Sequence, residues 1–126
     1  MANPPKKILH IEDDSSVQLV VKGFLENAGY QVISALDAVQ GVMMARQHAP
    51  DLIVLDVVMP AGGGESVFTH LRNMSFTKHT PILIYSGTDQ AGVLAKITPD
   101  AQTRILHKLA PPSELIKTVN SMLGME

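Results

Sequence analysis

Cysteine is absent from this 126-residue chain. That excludes disulfide staples and the zinc sites that cysteines build. It also fits a reducing compartment, and a cytoplasmic location is expected. An excess of charge of one sign is missing too: the formal net charge is −2. Nothing in that balance argues for a general nucleic-acid or membrane-surface binder. Long apolar runs are lacking as well. The longest, residues 52–60, is broken by Asp56, and a membrane span needs ~18–20 apolar residues. The opening Met1-Ala-Asn-Pro-Pro-Lys-Lys leads into a short strand-like run and then acids, which is not a signal-peptide pattern. No repeat, low-complexity tract or linker divides the chain. Its length falls in the usual domain range of about 100–200 residues, so one domain over residues 1–126 is expected, with a core of about 6–124.

What is present is a strand-like run followed by a helix-like run, repeated along the chain. The first strand is expected over Lys7–Ile11. Ser15 and Gln18 then have capping-box spacing, and Val17, Val20, Val21, Phe24 and Ala28 mark one face of a helix. Gly29 is placed to end it. The second strand is Gln31–Ala35. Asp37 and Gln40 suggest the next cap, with Val39, Val42 and Met43 facing inward and Pro50 closing the helix. The third strand is Leu52–Leu55. A third helix from about Gly64 or Glu65 buries Val67 or Phe68 with Leu71. The fourth strand is Pro81–Tyr85, followed by a weak helix near Gln90–Thr98 limited by Pro99. The fifth strand is Arg104–His107. The last helix follows Pro111-Pro112, turns Leu115, Val119, Met122 and Leu123 inward, and ends at Gly124. Continuously apolar strands are covered on both faces, which is the mark of a parallel sheet. Alternation of strand and helix predicts a doubly wound α/β fold with helices on both faces. Such sheets carry their sites beyond the carboxyl ends of the strands.

Those ends are chemically unequal. After the first strand come Glu12, Asp13 and Asp14. The third delivers Asp56, the fourth Ser86 and the fifth Lys108, whereas the second delivers Ala35-Leu36. Several carboxylates cannot all ionise in one pocket without a counter-charge. An oxygen donor set of this kind suits magnesium, which keeps several waters and binds phosphate; manganese suits it as well. Asp56 is the candidate nucleophile, since carboxylates form aspartyl phosphates. Lys108 and Ser86 offer a positive charge and a hydrogen bond to phosphoryl oxygens. Taken singly, each has a duller role. The acidic triplet suits a helix N-terminus, Asp56 a turn, Ser86-Gly87-Thr88-Asp89 a loop and cap, and Lys108 a solvated surface. Their joint placement at one sheet edge points to the chemistry. His10, His48, His70, His79 and His107 show no clustered metal spacing, and Met43, Met44 and Met59 suit packing.

Four segments carry a resemblance: Ile8–Asp14, Asp51–Pro60, Pro81–Gly87 and Leu106–Lys108, together with Gly64 downstream of Asp56. In order and spacing they resemble response-regulator receiver domains over about residues 6–124. The resemblance implies a flavodoxin-like, five-stranded parallel sheet in order 2-1-3-4-5. It implies that Glu12 and Asp13 hold Mg2+, Asp13 more directly, with Asp56 and the backbone carbonyl of Val58 completing the protein's ligands. It implies Asp56 as phosphoacceptor, Ser86 as the hydroxyl that swings toward the phosphoryl group, and Lys108 as its ionic partner. A histidine kinase or histidine phosphotransfer protein would supply the phosphoryl group, and a downstream protein would read the result. Three positions depart from the family pattern. Leu109 stands where a proline, often cis, is usual; Ile105 stands where an aromatic residue is usual; Gly87 replaces a usual alanine.

Other functions fit less well. An aspartyl phosphatase on a related sheet wants a second aspartate two residues after the nucleophile, and Val58 there cannot transfer a proton. A nucleotide- or flavin-binding module would use Gly62-Gly63-Gly64 as a phosphate cradle, but the P-loop pattern is missing and the nearby acids repel anions. A receiver that only binds partners would not need Glu12, Asp13, Asp56, Ser86 and Lys108, although Leu109 and Ile105 leave it open. The expected function is therefore a phospho-accepting switch that turns over no separate substrate.

Overall fold

The computed structural model describes residues 4–59 and 63–125. Pro60 and Gly62, invoked above, lie outside the described residues. Strands and helices alternate as β1 (Lys7–Ile11), α1 (Ser15–Asn27), β2 (Gln31–Ala35), α2 (Ala38–His48), β3 (Leu52–Leu55), α3 (Gly63–Asn73), β4 (Ile82–Ser86), α4 (Gln90–Leu94), β5 (Thr103–His107) and α5 (Pro112–Met122). All strand pairs are parallel, in the order β2-β1-β3-β4-β5. β3 and β4 are buried at every residue, as strands covered on both faces must be.

Alternation along the strands feeds two cores. Leu9, Ile11, Ile53, Leu55, Ile82 and Ile84 pack against α2, α3 and α4. Ile8, Val32, Leu52, Val54, Leu83 and Tyr85 pack against α1 and α5. The helices after β1 and β3 therefore lie on opposite faces, so a crevice opens between the carboxyl ends of these two strands. Among the described residues no helix is long and apolar enough to cross a membrane.

Several local expectations need correction. The cap of α1 is Asp14, whose Oδ1 accepts from the amides of Ser16 (2.9 Å) and Val17 (3.3 Å); Ser15 is already helical and no capping box forms. Aspartate one residue earlier satisfies the free amides equally well. On the same helix the inward stripe is Val17, Val21 and Leu25, while Val20 and Phe24 are 54% and 37% exposed. Both sets repeat every four residues, so spacing alone does not separate them. On α2, Val39 and Met43 face out, and Ala38, Gly41, Val42 and Ala45 face in. Close approach to β1 is the reason: a Cβ on Gly41 would lie 2.7 Å from Ile11 Cδ1. α4 ends at Leu94 rather than Thr98. Its tail tightens through Lys96 N to Val93 O (2.9 Å), and Pro99 disfavours a helical Thr98. Gly29 does end the α1 region with a left-handed φ of 98°.

His10 lies between Ser34 of β2 and Val54 of β3 and is fully buried. Neither ring nitrogen has a hydrogen-bond partner among the described residues. Burial, with help from the charge of Lys108, pushes its pKa down to about 4.

Two outcomes follow. Leu25→Ala is expected to cost ~2–5 kcal/mol in denaturant unfolding, and Phe24→Ala under about 1 kcal/mol; equal losses would contradict the observed stripe. For His10, the unfolded chain binds a proton below about pH 6.5 and the folded chain only near 4. Stability linked to His10 is complete above pH 6.5 and is lost as pH falls toward 4. His10→Leu removes that loss. By deleting two unpartnered nitrogens it is also expected to raise stability at pH 7 by about 1–3 kcal/mol. Urea melts at pH 7 and pH 5 measure both effects.

Candidate functional site

β1 and β3 lie side by side with Ile11 opposite Leu55, so Glu12 and Asp56 emerge together. The amide of Asp56 donates to Ile11 O (3.1 Å) and that of Glu12 to Ala35 O (3.0 Å), carrying the ladders one residue past the strands. Each acid therefore starts from a fixed backbone. Glu12 is 1% and Asp56 3% exposed, while Asp13 beside them is exposed. Carboxylate oxygens of Glu12, Asp13 and Asp56 all lie within 4.8 Å of one another.

One cation reaches into this cluster. Lys108 Nζ is 2.5 Å from Glu12 Oε1 and 3.1 Å from Asp56 Oδ2. Burial works against the ammonium, but the two acids outweigh it and hold Lys108 above the usual lysine range. Burial pushes Glu12 up to about 6 against the pull of Lys108, and the charge of Asp56 adds to the rise. Glu12 Oε1 is in ionic contact only; it has no aligned hydrogen-bond partner among the described residues. Its other oxygen accepts from the amide of Asp14 (3.3 Å). Asp56 Oδ1 accepts from the amide of Val58 (3.0 Å), which brings the chain after Asp56 back over its carboxylate.

Ser86 ends β4 and is fully buried. Its carbonyl accepts from the amide of Lys108 (2.8 Å) and its Oγ from the amide of Thr88 (3.1 Å). The hydroxyl proton is thus left to donate elsewhere. Ser86 is tied to Lys108 by backbone rather than by side chain. Glu12, Asp13, Asp56, Ser86 and Lys108 accordingly lie at the carboxyl edge; the three acids cluster, and Lys108 contacts Glu12 and Asp56. A hard divalent cation fits this donor set: three carboxylates converge, two of them buried, against the single positive charge of Lys108.

Three contributors were not apparent from sequence. The side-chain amide of Gln18 donates to Glu12 O (2.9 Å) and Ala35 O (2.8 Å), pinning the ends of β1 and β2. Tyr85 Oη donates to Lys108 O (3.4 Å). His107 Nδ1 accepts from the Leu109 amide (3.0 Å). All three are tertiary or turn contacts made by residue types with many ordinary roles, so no spacing rule marks them. Gly63 and Gly64, weighed above as a phosphate cradle, instead begin α3. Gly64 is a contact point. A Cβ there would lie 2.2 Å from Val57 Cα and 2.4 Å from Asp56 O, where only backbone could yield.

Gly64→Ala is therefore expected to lower stability by about 1–3 kcal/mol and to shift the amide resonances of Asp56 and Val57. Gly87→Ala serves as the control, since a Cβ there meets nothing within 4 Å. Equal behaviour of the two variants would contradict the close approach.

Known proteins resemble this chain in sequence and fold. The family model described as the response regulator receiver domain matches residues 8–120. Protein PilH of Pseudomonas aeruginosa is 29% identical over 118 residues, covering 94% of this chain and 98% of that protein. The polar-differentiation response regulator DivK of Brucella anthropi is 25% identical over 120 residues, covering 95% and 98%. Among solved structures, chemotaxis protein CheY4 of Vibrio cholerae superposes with a TM-score of 0.86 at 29% identity, covering 94% of this chain and 99% of that one. With a family model matching most of its length and a solved relative sharing its fold, the chain belongs to the response regulator receiver domain family.

Proposed function

We propose that this chain is a single receiver domain that takes a phosphoryl group onto Asp56 from a phosphohistidine and passes the change to a partner protein. The family is one of phospho-accepting signalling switches; the donor, the residue roles and the ion are our reading. The observation that carries it is the buried Asp56 carboxylate. It is held at one oxygen by the Val58 amide and at the other by Lys108, beside Glu12 and Asp13.

In the transfer, a carboxylate oxygen of Asp56 attacks phosphorus. The bond from phosphorus to the donor's imidazole nitrogen breaks, and its electron pair leaves on that nitrogen. Glu12, Asp13, Asp56 and the carbonyl of Val58 would hold Mg2+, with Mn2+ able to replace it. Such an ion supplies positive charge that offsets the acids and the phosphoryl oxygens. Lys108, in contact with Glu12 and Asp56, supplies further positive charge. In the phosphorylated state its ammonium moves from Glu12 and Asp56 to a phosphoryl oxygen. The Ser86 hydroxyl donates to another such oxygen, releasing the Thr88 amide that its Oγ now accepts from. Because Ser86 starts the loop to α4 and Lys108 the turn to α5, both motions bear on the face made by α4, β5 and α5. Ile105 packs against the α3–α4 core and cannot swing as an aromatic ring would, so output here runs through the loops rather than through that rotamer.

A donor in the form of a histidine kinase or histidine phosphotransfer protein fits this chemistry. A protein target fits the near-neutral surface better than nucleic acid or membrane, and the cysteine-free composition fits the cytoplasm. A phosphatase is disfavoured because Val58, with no acidic group, stands two residues beyond Asp56.

The test is incubation with acetyl phosphate, with and without Mg2+, followed by intact-protein mass spectrometry. One phosphate is expected on the wild-type chain with the ion present, and none on Asp56→Asn or without the ion. Lys108→Ala is expected to be phosphorylated at least tenfold more slowly. Equal labelling of Asp56→Asn would overturn the assignment.

A further inference from the structure

The turn that carries Lys108 is closed in an unusual way. β5 ends at His107, and the amide of Ala110 donates to His107 O (3.0 Å), so residues His107–Ala110 form a β-turn with Lys108 and Leu109 at its centre. Neither central residue has positive φ, and no peptide bond among the described residues is cis. Those facts exclude the type II, mirror-image and cis-proline turns, and with the closing hydrogen bond they fit the type I geometry. A proline in the place of Leu109 is disfavoured in such a turn, because it drives the residue before it out of the helical region. With leucine there, the backbone carries an N–H that needs an acceptor. The Leu109 side chain is 87% exposed and adds no packing to hold the turn.

The acceptor is His107 Nδ1, 3.0 Å from the Leu109 amide. Aspartate, asparagine and serine favour the first position of type I turns because their side chains accept the amide two residues on. Histidine Nδ1 is as many bonds from Cα as the side-chain oxygen of asparagine, so it does the same here. The bond requires a neutral ring with its proton on Nε2. The remaining anchors of Lys108 are its own amide on Ser86 O (2.8 Å) and its carbonyl under Tyr85 Oη (3.4 Å).

We propose that His107 is a positioning residue for Lys108: its Nδ1 locks the turn that aims the lysine ammonium at Glu12 and Asp56. The functional consequence rests on the phosphoacceptor role given to Asp56 above; the turn itself does not. In this chain a side-chain acceptor at residue 107 with a trans bond at Leu109 fixes the lysine's starting point.

The test has a part independent of phosphorylation. Nitrogen-15 NMR of the wild-type ring at neutral pH is expected to show Nδ1 unprotonated and Nε2 protonated; a dominant Nδ1–H tautomer would overturn the proposal. His107→Asn keeps the acceptor, and His107→Phe keeps the bulk without it. Exchange of the Leu109 amide is expected to quicken roughly fivefold in His107→Phe and to stay within about twofold of wild type in His107→Asn. The rate of Mg2+-dependent labelling by acetyl phosphate is expected to fall by a similar factor in His107→Phe alone. Indifference of both measurements to His107→Phe, or an equal loss in His107→Asn, would overturn it. If the wild-type chain takes no phosphoryl group, the role of Asp56 fails, while the tautomer and amide exchange still decide the turn.

Discussion

Two carboxylates almost out of reach of water share one ammonium, and the site depends on that balance. Glu12 and Asp56 are 1% and 3% exposed, and Lys108 Nζ stands 2.5 Å and 3.1 Å from their oxygens. Leaving a buried charge without its partner typically costs about 3–5 kcal/mol. The pair therefore tolerates burial only while a cation is within contact. The raised pKa of Glu12, about 6, records that one lysine does not fully offset the burial of that acid. A site with a deficit of positive charge has a physical reason to take a divalent ion, and a phosphoryl group arriving with it has a lysine already in place.

The fold builds this imbalance by bringing strand ends together. β1 and β3 are adjacent and central, and their helices leave toward opposite faces. The acids at their ends thus meet in a crevice that no helix fills. Neighbouring contacts keep them there. Gln18 ties the carbonyls of Glu12 and Ala35, Asp14 caps α1 while its amide holds Glu12, and Gly64 lets α3 rest on the backbone of Asp56 and Val57. On the far side, Ser86 and Tyr85 fix the backbone of Lys108.

Much of this was legible in the residues. Apolar runs such as Leu52–Leu55 allow little besides a doubly covered strand, and four of the five strands end at a chemical residue, the second ending in Ala35-Leu36. The strands consequently stand within a residue or so of where the sequence places them, and Glu12, Asp13, Asp56 and Lys108 gather as their positions imply. Helix faces were less legible. Val20 and Phe24 share the four-residue spacing of Val21 and Leu25, and only the sheet decides which stripe is covered. On α2, closeness to Ile11 selects Gly41 over a larger residue and the buried face continues through Ala45, so a search for bulk picks the wrong side. Gln18 and His107 act through single long-range or turn hydrogen bonds, and nothing in their local sequence distinguishes them.

The proposed function requires that Glu12, Asp13 and Asp56 hold a divalent ion, and Lys108 already contacts two of these acids. A magnesium titration of the wild-type chain and of Lys108→Met, followed by NMR at the backbone of residues 12, 13 and 56, tests it directly. The account predicts shifts at those three positions in both proteins, with tighter binding in the variant because its competing charge is gone. Shifts confined to other residues, or binding that weakens when the lysine is removed, would contradict it.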